Sequence, residues 1–396
     1  MCILYLYFTL EVFNIKSERS GKYVNVLYGE MAYRAFEPAP MPPNPPLNTD
    51  EELSLIIGNA HRMLGRLDGI SEQIADIDLF VAMYVRKEAL LSSQIEGTQA
   101  TLDDILDPDI EENTNLEVAD VINYIKAMKL AISRLDELPL CNRLLKETHI
   151  TLMEGVRGQE KNPGEFRRSQ NWIGSQGGSL KNAVFVPPTK DQMEQSMSEL
   201  EKFINLQDEM DPLLKIGLIH YQFETIHPFL DGNGRIGRML ITLWMISQGL
   251  LKHPVLYISY YFKRNRIEYY DRLMDVRLKG HFEEWLRFFL NGIIASAEDA
   301  CETIHEMSNL NAENLSKIKA LSGRKDTIIK LFNYVERNPI IDIAKTSEAL
   351  DLQYNTVSKA VEKLISLGIL EQVNQFKRNR RFAYTRYLNA LRKDTL

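Results

Sequence analysis

The residues best suited to chemistry in this 396-residue chain form one segment, residues 227–238, which reads HPFLDGNGRIGR. A histidine such as His227 can take a proton from a hydroxyl near neutral pH. The glycines let backbone N–H groups at a helix N-terminus approach an anion, and the helix dipole adds to the attraction. Arg235 and Arg238 lie three residues apart and provide forked donors for phosphate oxygens.

Asp231 stands in the middle of this segment, where its carboxylate would repel a bound phosphate. A Mg²⁺ ion between the carboxylate and the phosphates removes this repulsion, so the spacing predicts a metal site at Asp231. Together with a base at His227, these parts predict the transfer of a phosphoryl or nucleotidyl group from a nucleoside triphosphate to a hydroxyl.

The elements that position this segment are predicted to be helices. One helix should end near Ile226, and a second, buried helix should begin at the glycines, because residues 239–244 (MLITLW) are almost wholly apolar. Helical patterns also cover most of residues 50–157 and 192–318, whereas residues 171–190 predict a β-hairpin. The chain is therefore predicted to be mainly α.

Residues 325–396 have a pattern of their own. Three helical segments, at 326–335, 346–350 and 355–367, precede two short strands around a basic tip, which is the order of a winged helix-turn-helix. This tail has 13 Lys and Arg against 8 Asp and Glu, although the whole chain has a net charge of −7. Such a basic module favours DNA binding, but the tip could be a solvated loop, and winged helices also serve in dimerisation or protein docking. The DNA candidates are Tyr354, Asn355, Thr356, Ser358, Lys359, Lys377, Arg378, Arg380 and Arg381.

Composition excludes several classes of protein. The chain is 44% hydrophobic and 26% charged, which excludes wholesale disorder. Its three cysteines have no CxxC spacing, which argues against a disulfide framework or a zinc ribbon and favours the reducing cytoplasm. No apolar stretch reaches the roughly 18 residues needed to span a membrane.

The N-terminal residues leave two interpretations open. Residues 1–30 are expected to precede the natural start at Met31; in the alternative, residues 23–27 form an added strand. The Pro-rich stretch 37–49 cannot form a helix, because proline lacks the N–H donor and fixes φ. It is predicted to be an extended arm on the surface.

Residues 227–238 resemble the motif of the Fic family, HPFxDGNGRxxR, in all nine of its fixed positions. The resemblance extends over about residues 31–300. Residues 164–174 look like the family's approach to its flap, and residues 184–188 (VFVPP) look like the flap. Residues 257–270 resemble the segment that closes the adenine pocket. The fold implied is a Fic-type helical bundle with a small β-hairpin flap and a C-terminal winged helix-turn-helix.

The resemblance implies a protein adenylyltransferase that moves AMP from ATP to a Tyr, Thr or Ser hydroxyl and releases pyrophosphate. His227 would be the general base, Phe229 the buried anchor of the loop, and Asp231 the ligand of a Mg²⁺ that bridges the α- and β-phosphates. Arg238 would reach the γ-phosphate. The other phosphate contacts would be Gly232, Asn233, Gly234 and Arg235. Relatives that phosphorylate instead have a lysine in the anion loop, so Gly234 favours AMP transfer.

The nucleotide contacts outside the motif are expected to come from the flap and from a tyrosine pair. They are Val184, Phe185, Val186, Tyr269 and Tyr270. The flap could also be an ordinary surface hairpin, and the tyrosines could be plain core aromatics. Arg277 stands where some relatives have an asparagine, which puts the adenine contacts in doubt.

Ser92, Glu96 and Gly97 match a second pattern of the family, (S/T)xxxE(G/N). Because Ser92 and Glu96 are one turn apart on a predicted helix, they share a face. The resemblance implies that Glu96 pairs with Arg238, denies it to the γ-phosphate and so inhibits the enzyme. Some relatives also use this Glu to remove AMP. Self-modification and a homodimer are implied in the same way.

The expected domains are an N-terminal extension and arm (1–50), a helical region with the inhibitory helix (51–110), a Fic core (111–300), a connecting helix (301–324) and a winged helix-turn-helix (325–396). The rival interpretation is a DNA-binding regulator that uses the Fic fold as a nucleotide sensor. Phosphate contacts do not distinguish bases, so UTP, GTP and CTP stay open as donors.

Overall fold

The computed structural model describes residues 18–27, 31–74, 76–110, 114–156, 160–174, 179–374 and 380–393. Within these ranges the chain is mainly helical, as predicted. The helices up to residue 319 are α1 Glu51–Ser71, α2 Ile77–Ile95, α3 Leu102–Leu106, α4 Leu116–Arg134, α5 Asn142–Leu152, α6 Lys190–Asn205, α7 Pro212–Ile226, α8 Asn233–Ser247, α9 Ser259–Arg264, α10 Arg266–Lys279 and α11 Phe282–Lys319. None of these described helices combines the length and apolar character needed to cross a membrane.

Helix α7 lies at the centre of the bundle. Every residue from Leu213 to Ile226 is buried, and α8 is buried over most of its length. Neighbouring elements cover this helix on its different sides, since α6, α8 and α11 pack against α7. The two central helices therefore hold the loop that joins them, residues 227–232, on a rigid support.

Local signals set both ends of the helix that carries Ser92 and leads to Glu96. Asp76 is the N-cap of α2 and accepts a hydrogen bond from the Leu79 N–H, and Gly97 follows the helix with a φ of 102°. Thr101 then caps α3 in a capping box with Asp104. Residues that are close in sequence therefore set these helix ends.

An antiparallel hairpin precedes the bundle. Strand β1 (Gly21–Val26) pairs with β2 (Tyr33–Pro38), so a strand covers most of residues 23–27. The Phe36 N–H donates to the Val186 carbonyl, and the Phe36 ring is buried. The arm that follows is extended and mostly exposed, as predicted.

The predicted flap hairpin is shorter than expected. A single antiparallel bridge joins Ile173 to Phe185, and a 3₁₀ turn occupies Leu180–Asn182. Phe185 and Val186 are buried beneath this segment, since they pack toward β2. The Val184 and Phe185 N–H groups both donate to the Ile173 carbonyl, and the described residues of the flap form no longer ladder.

The C-terminal unit begins after α11. It contains α12 Asp326–Arg337, β3 Ile340–Asp342, α13 Ile343–Leu350, α14 Tyr354–Ser366, β4 Glu371–Gln372, β5 Arg381–Ala383 and α15 Thr385–Arg392, with strand order β3-β5-β4. The three predicted helices and two predicted strands are present, whereas β3 and α15 were not anticipated. Helix α11 runs through the boundary expected at residue 300, so the last helix of the core and the connecting helix are one element. The assignment to the winged-helix class stays a prediction.

Candidate active site

The loop between α7 and α8 is held in a strained backbone conformation. His227 ends α7 with φ 50° and ψ 61°, in the left-handed region, and Gly232 opens α8 with φ 75°. The left-handed conformation is costly for a histidine and persists only where neighbours fix it. Here Arg167 Nε and Asn171 Nδ2 donate to the His227 carbonyl at 3.1 and 3.2 Å.

Arg167 also ties this loop to the flap. Its backbone N–H donates to the Pro228 carbonyl at 2.8 Å, and its guanidinium donates to the Pro188 carbonyl. The side chain is almost wholly buried, and burial lowers its pKa to about 10. A buried guanidinium that bonds only to carbonyls acts as a structural cross-link, a role that the sequence pattern did not indicate.

His149 supports the other half of the loop. Its Nδ1 accepts a hydrogen bond from the Gly164 N–H at 2.8 Å, so the proton of the neutral ring lies on Nε2, which donates to the Asp231 carbonyl at 3.0 Å. The ring stacks on Phe229 with 3.9 Å between centroids. Burial lowers the pKa of His149 to about 4, which keeps this bonding pattern intact at neutral pH.

His227 is suited to accept a proton. Its ring is partly exposed, and its Nδ1 is buried without a hydrogen-bond partner among the described residues. Burial, and after it the charge of Arg277, lowers the pKa of His227 to about 4. The imidazole is therefore neutral at physiological pH, as a general base must be.

Arg238 and Glu96 form the ion pair that the resemblance implied. The Arg238 guanidinium donates to Glu96 Oε1 at 2.7 Å and to Ser92 Oγ at 2.8 Å. Arg238 is only 2% exposed, whereas the Glu96 side chain is 40% exposed. A Cβ at Gly234 would overlap the Glu96 carboxylate, so the glycine of the anion loop also makes room for this contact.

The Asp231 carboxylate lies just before α8 and bonds to the first residue of the turn into it. Its Oδ1 accepts from the Gly232 N–H, and Lys161 Nζ lies 2.7 Å from its Oδ2. Among the described residues no group of three His, Cys, Asp or Glu side chains is placed to hold a metal. A site with one carboxylate suits Mg²⁺, which takes its other ligands from phosphate and water.

Replacing Lys161 by alanine is expected to strengthen Mg²⁺ binding about 3-fold, because the ammonium and the metal compete for Asp231 and partly exposed ion pairs are weak. Titration of Mg²⁺ against the protein and a fluorescent, non-hydrolysable ATP analogue measures the effect. Lys190→Ala, which removes a surface lysine paired with Glu194, is the control. An unchanged or weakened Mg²⁺ affinity would contradict the expectation.

The Arg235 side chain forms an ion pair with a neighbouring helix. Its guanidinium lies 3.2 Å from Asp120 of α4 and 3.8 Å from Asp231, and its side chain is 8% exposed. Asn233 bonds in both directions with the backbone of Phe229 and so stabilises the loop. The phosphate contacts expected of both side chains stay predictions.

The expected nucleotide contacts outside the motif fall into two groups. Val184 is 64% exposed and Tyr270 is 38% exposed, so both side chains present surface to a ligand. Phe185 and Val186 are buried, and Tyr269 is 1% exposed with its hydroxyl 2.9 Å from His220 Nε2. For these three the structure shows packing roles instead of ligand surface.

Arg277 helps to explain why Phe185 packs in the core. Its guanidinium lies 3.8 Å from the centroid of the Phe185 ring and donates to Thr225 Oγ1 at 3.1 Å. It therefore links α10 to the end of α7, two residues before His227. An asparagine is too short to make both contacts.

Two buried carboxylates were not predicted from the sequence. Glu88 accepts hydrogen bonds from the Tyr124 and Ser259 hydroxyls at 3.0 and 2.5 Å, and Glu224 lies beside Gly237 of α8. Each has one oxygen without a partner among the described residues, and burial raises the pKa of each to about 7. An acidic residue on the apolar face of a predicted helix was the signal that could have found them.

Glu88 should make the protein less stable as pH rises. Its folded pKa, about 7, lies above the ordinary value of 4.5, so its contribution is complete below pH 4.5 and is lost as pH rises through 7. Glu88→Gln is therefore expected to narrow the difference in melting temperature between pH 5.5 and pH 8 by a few degrees, measured by calorimetry. Glu199→Gln, on the surface of α6, should leave that difference unchanged.

Only some of the side chains predicted to contact DNA are exposed. Tyr354, Asn355, Thr356 and Lys359 are exposed at the start of α14, and Ser358 is half-buried. The Arg380 guanidinium lies 5.4 Å from the centroid of the Phe382 ring, and Arg381 is paired with Asp107 and Asp109. Arg381 is thus turned onto the helical body, and its contact with DNA stays a prediction. Lys377 and Arg378 lie outside the described residues.

Comparisons with known proteins agree with this geometry. Residues 56–133 match the model of the Fic/DOC family N-terminal domain, and residues 139–245 match that of the Fic/DOC family. Protein adenylyltransferase Fic from Drosophila ananassae is 30% identical over 183 residues, and its namesake from Culex quinquefasciatus is 30% identical over 184 residues. Each alignment covers 45% of this chain and 32% of the relative, so the chain spans about a third of the length of the curated relatives it matches.

A solved structure extends the comparison to the fold. The crystal structure of a Fic family protein from Desulfovibrio desulfuricans G20 superimposes with a TM-score of 0.56 and 19% sequence identity. The match covers 86% of this chain and 97% of that chain. The two proteins share a fold.

Proposed function

Because residues 56–133 and 139–245 of this chain match the models of the Fic/DOC family N-terminal domain and of the Fic/DOC family, we propose that the protein is an adenylyltransferase that transfers AMP from ATP to a hydroxyl group of a protein. One observation carries the proposal. A neutral His227 lies just before the glycine-rich N-terminus of α8, the helix that also contains Arg238. The relatives named protein adenylyltransferase support the same activity.

In the proposed reaction, the target hydroxyl oxygen forms a bond to the α-phosphorus of ATP. The bond between that phosphorus and the oxygen that bridges to the β-phosphate breaks, and pyrophosphate leaves with that oxygen. His227 takes the proton of the hydroxyl. The cross-links from Arg167 and Asn171 keep the histidine in its strained position, so little reorganisation is needed when substrate binds.

The phosphates would bind where α8 begins. The backbone N–H groups of residues 232–234 are not all used within the helix, and the positive end of the helix dipole favours an anion there. Asp231 would hold Mg²⁺, which neutralises phosphate charge when bound. Exposed Val184 and Tyr270 are the side chains that would contact the nucleoside.

The present arrangement would be an inhibited one. Arg238 makes three hydrogen bonds, to Glu96 and to Ser92, and has to exchange the one to Glu96 before it can bind a γ-phosphate. We infer that ATP which binds while this pair is closed does so without alignment of its α-phosphate. The same carboxylate could activate water for removal of AMP, and this reverse activity is the alternative use of Glu96.

The target would be a protein segment with an exposed Tyr, Thr or Ser. An extended segment can add to the edge of the flap through main-chain hydrogen bonds, which favours exposed loops or termini as targets. The protein itself, and a second copy of it in a homodimer, are the first targets to test.

The test is transfer of radioactive label to protein from α-³²P-ATP and, separately, from γ-³²P-ATP, with Mg²⁺. Label retained from the α-position alone indicates AMP transfer, whereas label from the γ-position alone indicates phosphorylation and would overturn the proposal. The same assay with UTP, GTP and CTP labelled at the α-position identifies the preferred donor.

A second candidate function is that of a DNA-binding regulator that uses the Fic fold as a nucleotide sensor. The exposed start of α14 on a basic C-terminal unit is the observation that favours it. Measurable ATP binding without any transfer of label, even after Glu96 is removed, would favour this function over the enzyme.

A further inference from the structure

The C-terminal unit packs directly on the segment that presents Glu96. Helices α12 and α15 contact α2, and Arg337 at the end of α12 pairs with Asp76, the N-cap of α2, at 2.6 Å. The apolar face of α15, with Tyr387 and Leu388, is buried, and α15 packs against α11 as well as α2. The unit therefore holds both ends of the segment between residues 76 and 109.

Three basic side chains of the unit converge on one short acidic stretch of the body, residues 103–109. Arg381 pairs with both Asp107 and Asp109, and Lys345 lies 2.5 Å from Asp109 and donates to the Pro108 carbonyl. Arg392 contacts both carboxylate oxygens of Asp103 at 2.6 and 2.7 Å. We call the surface formed by Lys345, Arg381 and Arg392 the basic face.

The basic face makes the contacts that such side chains make to phosphates. A guanidinium fork binds carboxylate and phosphate oxygens in the same planar geometry, and a lysine binds either as a point charge. The basic face comes from three elements, α13, β5 and α15, while its partners come from a stretch with four aspartates in seven residues. The acidic stretch therefore presents carboxylates where the phosphates of a polyanion would fit.

These contacts are exchangeable. The paired side chains are between about a quarter and a half exposed, and exposed ion pairs each stabilise a structure by about 1 kcal/mol or less. Duplex DNA carries one charge per about 1.7 Å and gains affinity by releasing counterions, so it can replace a few carboxylates.

We propose that the basic face binds a nucleic-acid backbone, that the acidic stretch occupies this surface in its absence, and that the exchange loosens the segment that holds Glu96 against Arg238. The last clause rests on the proposed function, whereas the binding does not. DNA is favoured over an acidic protein because α14 of the same unit exposes Tyr354, Asn355 and Thr356, side chains able to contact bases. Nucleic acid would then be an activator of AMP transfer.

The binding half is tested by fluorescence anisotropy at low salt with a labelled DNA duplex of about 25 base pairs. Asp103→Asn/Asp107→Asn/Asp109→Asn in the full chain is expected to bind about 10-fold more tightly than the native protein, because the competing carboxylates are gone. Asp136→Asn/Asp191→Asn/Asp271→Asn changes the net charge equally at exposed positions elsewhere and should bind as the native protein does. Equal affinity for DNA of the native protein and the interface variant would overturn the proposal. A gain in affinity that the control variant matches would also overturn it.

The coupling half is tested with α-³²P-ATP. The interface variant, and the native protein with saturating duplex, should both gain AMP transfer toward the level of Glu96→Gly, and neither treatment should change Glu96→Gly itself. Lys345→Glu/Arg381→Glu should also gain activity, because like charges repel the acidic stretch, but it should no longer respond to DNA. Tight DNA binding without any gain in labelling would overturn the coupling. Absence of label in Glu96→Gly would instead reject the proposed function, and the anisotropy result would still decide the binding.

Discussion

Glu96→Gly is expected to raise the rate of AMP transfer by about 10- to 100-fold, the range typical of a coupling between two sites. The glycine removes the carboxylate that lies 2.7 Å from Arg238 and leaves the guanidinium available for the γ-phosphate. Glu96 is the residue at the end of α2, with φ −82° and ψ −1°, so glycine can adopt the same backbone there without strain. The rate of labelling from α-³²P-ATP under saturating Mg²⁺ measures the effect.

Two variants make this result specific. Glu96→Gln keeps the size of the side chain and one acceptor oxygen but loses the charge, so its activity should lie between those of the native protein and Glu96→Gly. Glu72 is a matched control, because it also ends a helix, α1, and pairs with a surface lysine, Lys252, far from the site. Equal activation by Glu72→Gly would mean that general loosening, and not release of Arg238, is the cause.

His227→Ala in the Glu96→Gly background is expected to reduce AMP transfer by about 10²- to 10⁴-fold, the typical contribution of a general base. The loss should fall on kcat, since the ring of His227 makes no hydrogen bond through Nδ1 and the phosphate contacts lie in the following turn. Measurement of labelling rates beside ATP affinity, by calorimetry, separates chemistry from binding.

The variant must also be shown to fold, because His227 has a left-handed backbone that alanine adopts less readily. His227→Asn is the second variant, since asparagine tolerates this conformation but cannot act as the base. His61→Ala changes a partly exposed histidine on α1 that pairs with Asp211, and it should retain full labelling. If His227→Asn kept the native rate, a different group would have to accept the proton.

The sequence predicted those parts of the fold and site that depend on neighbours along the chain. The end of α7 near Ile226 and the glycine turn into α8 are set by residues within about four positions. The pairing of Glu96 with Arg238 spans the chain, and it was expected only because a family resemblance supplied the partner. Composition and periodicity alone do not bring those two residues together.

What could not be predicted depends on distant contacts. His149, Arg167 and Lys161 lie 60 or more positions from the loop they contact, and nothing in their local patterns names a partner. Arg381 has the type and position of a DNA contact, but in the structure it pairs with two aspartates more than 270 positions away. Tyr269 is buried, which agrees with the alternative of a core aromatic, because helical spacing does not distinguish an aromatic that lines a pocket from one that fills a core.

Gly234 has a consequence for how this protein could change under mutation. Any larger residue there would displace the Glu96 carboxylate and, by the same atoms, intrude on the turn proposed to hold the phosphates. A substitution that releases the inhibition at this position should therefore damage the enzyme that it releases. Hyperactive variants selected from random libraries should accordingly carry changes at Ser92 or Glu96 and leave codon 234 untouched. A mutation at position 234 would remove the inhibition by Glu96 only together with the activity.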